Sequence, residues 1–223
     1  MNFTSFKKPV LAMAVMGVLA SASAQANDLV ISPDLGAPSF TVDVNGTSKD
    51  VLATLFTISD QSTGSSFLAF CYELLQNIGA AAYVPPGLPY TAGSMASAAT
   101  QALFNQSYAS IDLGNQTQVA GFQIALWETL DDSNRSSGAY TNWLGDTGSA
   151  AEANALAVAD DLLAKVRSGA PNTADYQLTV WNNATSQDLI QAAPRGNQVP
   201  EPSSALLGML GLGSLVALRR RLK

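Results

Sequence analysis

The stretch GFQIALWETL, Gly121 to Leu130, is written like one wall of a core with a polar residue set into it. Stepped around a helix, Val119, Phe122, Leu126, Trp127 and Leu130 fall on one apolar stripe. Gln123 falls near the middle of that stripe, and Glu128 is expected on the opposite side. A buried primary amide without partners costs about 1–3 kcal/mol, so a glutamine there needs a task. The whole helix is expected from Thr117 to about Leu130, with Asn115 or Thr117 as its cap and Asp131-Asp132-Ser133-Asn134 ending it.

Around this helix the chain alternates between strand and helix signals. Phe40 to Val44 alternates and meets Asn45-Gly46, a hairpin turn, with Val51 to Ile58 as the return strand. Asp60 to Ser66 reads as a polar turn, and Phe67 to Leu75 as a buried strand around Phe70-Cys71-Tyr72. The Pro-rich segment Tyr83 to Tyr90 reads as a loop. Two further helices are expected, from Met95 to about Ser107 and from Ala151 to Val166, the latter stopped by Gly169 and Pro171. Tyr176 to Trp181 returns to strand. Strands on both sides of a helical middle predict an α+β domain, an antiparallel or barrel-like sheet packed with about three helices.

Both ends carry processing signals. Lys7 and Lys8, an apolar run from Val10 to Ala20 and the small residues Ser21 to Ala26 have the order of a secretory signal peptide. Cleavage is expected after Ala26, leaving Asn27. At the other end, Val199-Pro200-Glu201-Pro202 precedes an apolar run from Ala205 to Leu218, and Arg219, Arg220, Arg221 and Lys223 follow. Such a run barely crosses a hydrocarbon core, and basic residues hold that end on the cytoplasmic side. The expected division is a signal peptide (1–26), a domain (27–192), a linker (193–198) and a C-terminal signal with a membrane helix (199–223).

The segment VPEPSSALLGMLGLGSLVALRRRLK resembles the PEP-CTERM sorting signal, with a Pro-Glu-Pro motif, a short glycine-containing span and an arginine-rich end in that order. The resemblance implies recognition by exosortase, a membrane processing enzyme of Gram-negative bacteria that make extracellular polysaccharide. It implies an exported protein with an inner-membrane intermediate held by the C-terminal helix, delivered to the cell surface or extracellular matrix.

Composition narrows the chemistry of the domain. From residue 27 to 198 five basic residues face 16 acidic ones, a net charge of −11, which argues against nucleic acid as a partner. The chain has no histidine, which removes Ser-His-Asp and Cys-His sites, His-ligated metals and the commonest general base near neutral pH. Asp131-Asp132 with Glu128 lack a calcium-loop spacing and read as an acidic helix end. Asp160-Asp161 reads as a solvated helix face. No catalytic residue set, cofactor or metal is expected. Cys71 is the single cysteine, unusual in an exported domain, where a free thiol is open to oxidation.

A lone exported cysteine and a glutamine in a core helix share one chemical explanation. A thiolate can attack the side-chain carbonyl of a glutamine held against it, releasing ammonia and leaving an internal thioester. An amine or hydroxyl can then take the acyl group, bonding to Gln123 and freeing Cys71. The bond needs a dry site, which suits Phe70, Tyr72 and Trp127 as neighbours.

These residues resemble the bacterial Cys-Gln thioester domains of surface proteins, the TQXA type. In that family the cysteine commonly sits between aromatic residues, as in Phe70-Cys71-Tyr72, and the glutamine in Thr-Gln-x-Ala-Ile-Trp. Phe122 to Trp127 matches the second motif with Phe for Thr and Leu for Ile. Thr117-Gln118-Val119-Ala120 also spells Thr-Gln-x-Ala, but Gly121-Phe122 follows it and Gln118 lies off the stripe, so Gln123 is the better register. On the plainer reading, Cys71 is a small buried hydrophobe and Gln123 bonds a loop carbonyl, in a thioester-like fold without the bond.

Two functions follow. The first is a surface or matrix protein that attaches covalently, through Cys71 and Gln123, to a partner bearing an amine or hydroxyl, polysaccharide included. The second is a non-covalent structural or binding component of the exopolysaccharide or biofilm matrix.

Overall fold

The computed structural model describes residues 26–33, 36–93 and 95–195. The expected signal peptide (1–26), apart from Ala26, and the expected C-terminal signal, with Pro200, Glu201, Pro202, Arg219, Arg220 and Arg221, lie outside the described residues. Among the described residues, no helix is long and apolar enough to cross a membrane.

The architecture is α+β. Six strands close an antiparallel barrel: β1 (Ala26–Pro33), β4 (Leu55–Asp60), β5 (Ser65–Cys71), β9 (Leu189–Pro194), β8 (Tyr176–Asn182) and β6 (Leu88–Gly93), in that order around it. A second sheet has the order β3 (Thr47–Leu52), β2 (Ser39–Val44), β7 (Tyr140–Gly145). Three helices pack with the sheets: α1 (Ala98–Ser107), α2 (Gln116–Glu128) and α3 (Ala150–Ser168).

The local signals act as their chemistry dictates. Asn45 and Gly46 both take positive φ, 52° and 83°, in the hairpin joining β2 to β3. Asn115 caps α2, its side chain accepting from the N–H groups of Thr117 (3.1 Å) and Gln118 (3.3 Å). Ser149 and Glu152 form a capping box on α3, and Gly169 ends that helix at φ 65°.

The expected buried strand from Phe67 to Leu75 stops at Cys71, and Leu75 is exposed. Four further expectations need correction. Val51 to Ile58 is not one strand: the chain breaks at the wholly buried Ala53 and Thr54 and passes from the second sheet into the barrel. The segment from Tyr83 to Tyr90 is not all loop, because Leu88 already belongs to β6. Pro89 is tolerated there because it faces only β1, through Asp28, while β8 joins β6 further on, from Thr91. The expected linker from residue 193 begins too early, since Ala193 pairs with Gln177 and Pro194 with Tyr176 in the β8–β9 ladder.

The fourth correction concerns α2 itself. Every residue from Val119 to Glu128 is buried, so the helix has no wet side and Glu128 does not point to solvent. Gly121 explains how α3 reaches one flank. A Cβ at Gly121 would lie 2.6 Å from the Val158 side chain and 2.7 Å from the Ala155 carbonyl oxygen. Gly121→Val should therefore force α2 and α3 apart and cost about 1–3 kcal/mol. Urea denaturation should show a lowered midpoint, and an unchanged midpoint would contradict this packing.

Candidate functional site

The site is built where β5 ends. β4 begins at Leu55, opposite Phe70, so no residue of β4 pairs with Cys71, the last residue of β5. Gln123 fills that gap. Its Oε1 accepts from the Cys71 backbone N–H at 2.9 Å, and its Nε2 donates to the Cys71 carbonyl at 2.9 Å. The carboxamide thus completes the ladder as a strand residue would, from a helix 52 positions away in sequence. Gln123 is 0% exposed and both ends of its amide are satisfied.

The cysteine sulfur faces a different glutamine. Cys71 Sγ donates to Gln187 Oε1 at 2.9 Å. With a C=O bond of about 1.23 Å, the Gln187 carboxamide carbon lies within about 4 Å of the sulfur. The structure thus brings Cys71 and Gln123 together as expected, but through the main chain of Cys71, and gives its sulfur to Gln187.

Gln187 lies in the connection between β8 and β9 and is held from several sides. Its backbone N–H donates to the Asn77 carbonyl (3.2 Å), and its own carbonyl accepts from the Tyr90 hydroxyl (3.1 Å). Its Nε2 donates to the Glu73 carbonyl. On either side of it, the Tyr90 hydroxyl also bonds Ser186 Oγ (3.1 Å), and Asp188 Oδ1 accepts from the Asn183 N–H (2.8 Å). Barrel closure sets the register, with Cys71 opposite Leu189 on β9.

A cavity of about 430 Å³ opens onto this pair, lined by Cys71, Gln187, Trp127, Phe56, Tyr83 and Lys49 among others. Of the three expected neighbours, Trp127 alone lines it. Phe70 points away into an aromatic cluster, with ring centroids 5.0 Å from Phe122 and 6.4 Å from Phe104. The Tyr72 hydroxyl accepts from the Ser97 N–H at 3.2 Å.

Burial sets the electrostatics. It pushes the Cys71 thiol well above its ordinary range; the nearby Glu73 adds to the shift, and Lys49 opposes it. The thiol is therefore held in its protonated form, with its proton on the side of the Gln187 carboxamide. Burial also lowers the pKa of Lys49, whose ammonium donates to the Leu74 carbonyl. Burial raises that of Glu73, and Asp188 adds to the rise.

Sequence reasoning singled out Cys71, Gln123 and Trp127 but missed Gln187 and Lys49. Ser186-Gln187-Asp188 has the composition of an ordinary polar turn, and only its place just before the apolar Leu189-Ile190 hinted that a buried strand follows.

Residues 198–221 match the PEP-CTERM protein-sorting motif. The motif implies an exported protein, processed at the membrane by exosortase and displayed on the cell surface. No curated protein sequence matches the chain. Among solved structures, the chain is similar to the N-terminal thioester domain of the fibronectin-binding protein SfbI from Streptococcus pyogenes. That match has 15% identity and a TM-score of 0.36, covering 72% of this chain and 95% of that one. It is also similar to the N-terminal domain of the Streptococcus pyogenes pilus tip adhesin Cpa, with 14% identity and a TM-score of 0.38, covering 77% and 99%.

Proposed function

We propose that Cys71 and Gln187 form an internal thioester through which this exported surface protein attaches covalently to a partner. The observation that carries the reading is the 2.9 Å contact between the Cys71 sulfur and the Gln187 carboxamide oxygen, at the wall of a cavity. This moves the acyl donor from Gln123, the expected partner, to Gln187. Gln123 is the positioning residue, because both ends of its amide are engaged by the Cys71 main chain.

The sulfur attacks the Gln187 side-chain carbonyl carbon. A carbon–sulfur bond forms, the carbon–nitrogen bond breaks, and the thiol proton leaves with the amide nitrogen as ammonia. An amine or hydroxyl entering the cavity then takes the acyl group, and its proton passes to the sulfur, restoring the Cys71 thiol. The apolar part of the wall, with Phe56, Leu74 and Trp127, slows hydrolysis until such a nucleophile arrives. Each molecule reacts once, so the protein is an attachment device and not an enzyme. A surface-displayed protein meets amines on proteins and hydroxyls on polysaccharide, and the matrix around the cell supplies both.

Peptide mapping after incubation with methylamine tests the reading. The amine should appear as an amide on Gln187, with Cys71 newly open to alkylation. Label on Gln123 would restore the alternative pairing. No label at all would favour a non-covalent component of the exopolysaccharide matrix.

A further inference from the structure

A second group of side chains, outside the cavity, gathers at the end of α2. One oxygen each from Glu128, Asp131 and Asp132 lie within 4.8 Å of one another. Glu128 is 0% exposed, and its Oε1 accepts from the Trp143 indole N–H at 2.5 Å. Its second oxygen, Oε2, is buried with no hydrogen-bond partner among the described residues. A buried, unpaired carboxyl oxygen beside two carboxylates is costly unless a proton or a cation compensates it.

Among the described residues, no cation is bonded to that oxygen. Of the nearby cations, the Arg135 guanidinium is paired with Asp160 at 2.6 Å, and Arg167 donates to the Ser133 carbonyl. The two aspartates are held in place instead. Asp131 Oδ2 accepts from the Ala139 and Tyr140 N–H groups. Asp132 accepts from the Asn134 N–H at 2.9 Å and the Ser137 hydroxyl at 2.6 Å. The loop folds tightly over them: a Cβ at Gly138, where φ is 81°, would lie 2.0 Å from Asp131 Oδ2.

We propose that Glu128, Asp131 and Asp132 bind a calcium ion. Calcium takes six to eight oxygen ligands at about 2.3–2.6 Å, so two ligands on opposite sides of the ion lie about 4.8 Å apart. The three carboxylates are therefore close enough to share one ion after small side-chain shifts, with the exposed Asp131 and Asp132 leaving room for water ligands. Magnesium, at about 2.0–2.1 Å, would need them drawn closer. For a chain with an export motif the expected affinity is about 0.1–1 mM, the range of extracellular modules. The ion neutralises the orphaned oxygen and clamps the end of the helix that carries Gln123 and Trp127. The sequence hid the site because its ligands come from a helix end and a short turn, not from the regular spacing of a calcium loop.

The test needs no thioester. The chelator-treated protein is titrated with calcium chloride while its thermal midpoint and tryptophan fluorescence are followed, Trp143 being bonded directly to Glu128. A saturable rise in midpoint and a fluorescence change with half-effect at about 0.1–1 mM are expected, with a weaker response to magnesium. Asp132→Asn, at an exposed position, should weaken the response at least about tenfold while the chain still folds. Glu128→Gln keeps an acceptor for Trp143 and should abolish the response. No response in the unsubstituted protein up to about 10 mM, well beyond the range of extracellular sites, would overturn the proposal. So would an equal response in Asp132→Asn.

Discussion

Gln187→Ala is expected to abolish covalent attachment completely while leaving the protein folded. The substitution removes the acyl carbon whose oxygen Cys71 Sγ meets at 2.9 Å, so no thioester can form and no amine can be captured. Its structural cost is small by comparison. The side chain lies at the wall of a cavity, and the lost contacts are one weak S–H donor and one bond to the Glu73 carbonyl. A neutral hydrogen bond contributes about 0.5–1.5 kcal/mol, within the margin of a stable domain. The backbone bonds of residue 187 to Asn77 and Tyr90 survive the change. A thiol assay on freshly denatured protein should count one thiol in Gln187→Ala and none in the unsubstituted chain. Equal counts would remove Gln187 from the chemistry.

Gln123→Ala should have the larger effect on stability. It unpairs the backbone N–H and C=O of Cys71, both facing a core position with 0% exposure. Each unsatisfied group costs about 1–3 kcal/mol, and the hole left behind adds to that. Against a total of about 5–15 kcal/mol for a whole domain, the variant is expected to be marginal or unfolded. Gln123→Glu separates the hydrogen bonds from the volume. A protonated glutamic acid can still accept from the Cys71 N–H and donate to the Cys71 carbonyl, whereas its carboxylate sets a charge against that carbonyl in a dry core. Burial raises the folded-state pKa of such a carboxyl. Its stability relative to wild type should therefore be best preserved below the unfolded value of about 4.3 and should fall as pH rises above it. Denaturation curves of both proteins at several pH values would read this out. A difference that does not change with pH would mean the amide does not donate to Cys71.

What was legible in the sequence divides by the range of the interaction. The α2 helix with its Asn115 cap, the Asn45-Gly46 hairpin and the capped α3 are set by near neighbours and are readable from residue types and spacing. Gln123 was visible as an anomaly, a polar residue on an apolar stripe. Its task was not, because its partner is main chain, left unpaired where β4 happens to begin at Leu55. Gln187 was invisible for a related reason. It meets Cys71 across 116 positions of sequence, through closure of a barrel whose β1 and β9 sit at the edges of the domain. The signal-peptide reading overlapped only Ala26 and the linker reading only Ala193 and Pro194, and the rest of β1 and β9 was not read as strand. Glu128 was misplaced because the helical stripe assumed one wet face, and Trp143 on β7 covers the other.

The most direct test of the central claim is the intact mass of the folded protein, compared between the unsubstituted chain and the Cys71→Ala, Gln187→Ala and Gln123→Glu variants. After allowance for each substitution, the unsubstituted chain should be lighter than Cys71→Ala and Gln187→Ala by one ammonia. Folded Gln123→Glu should still show that loss, since residue 123 only holds Cys71 in place. An unsubstituted chain of full mass would contradict the thioester. A loss that persists in Gln187→Ala but vanishes in Gln123→Glu would contradict the assignment of Gln187 as its acyl donor.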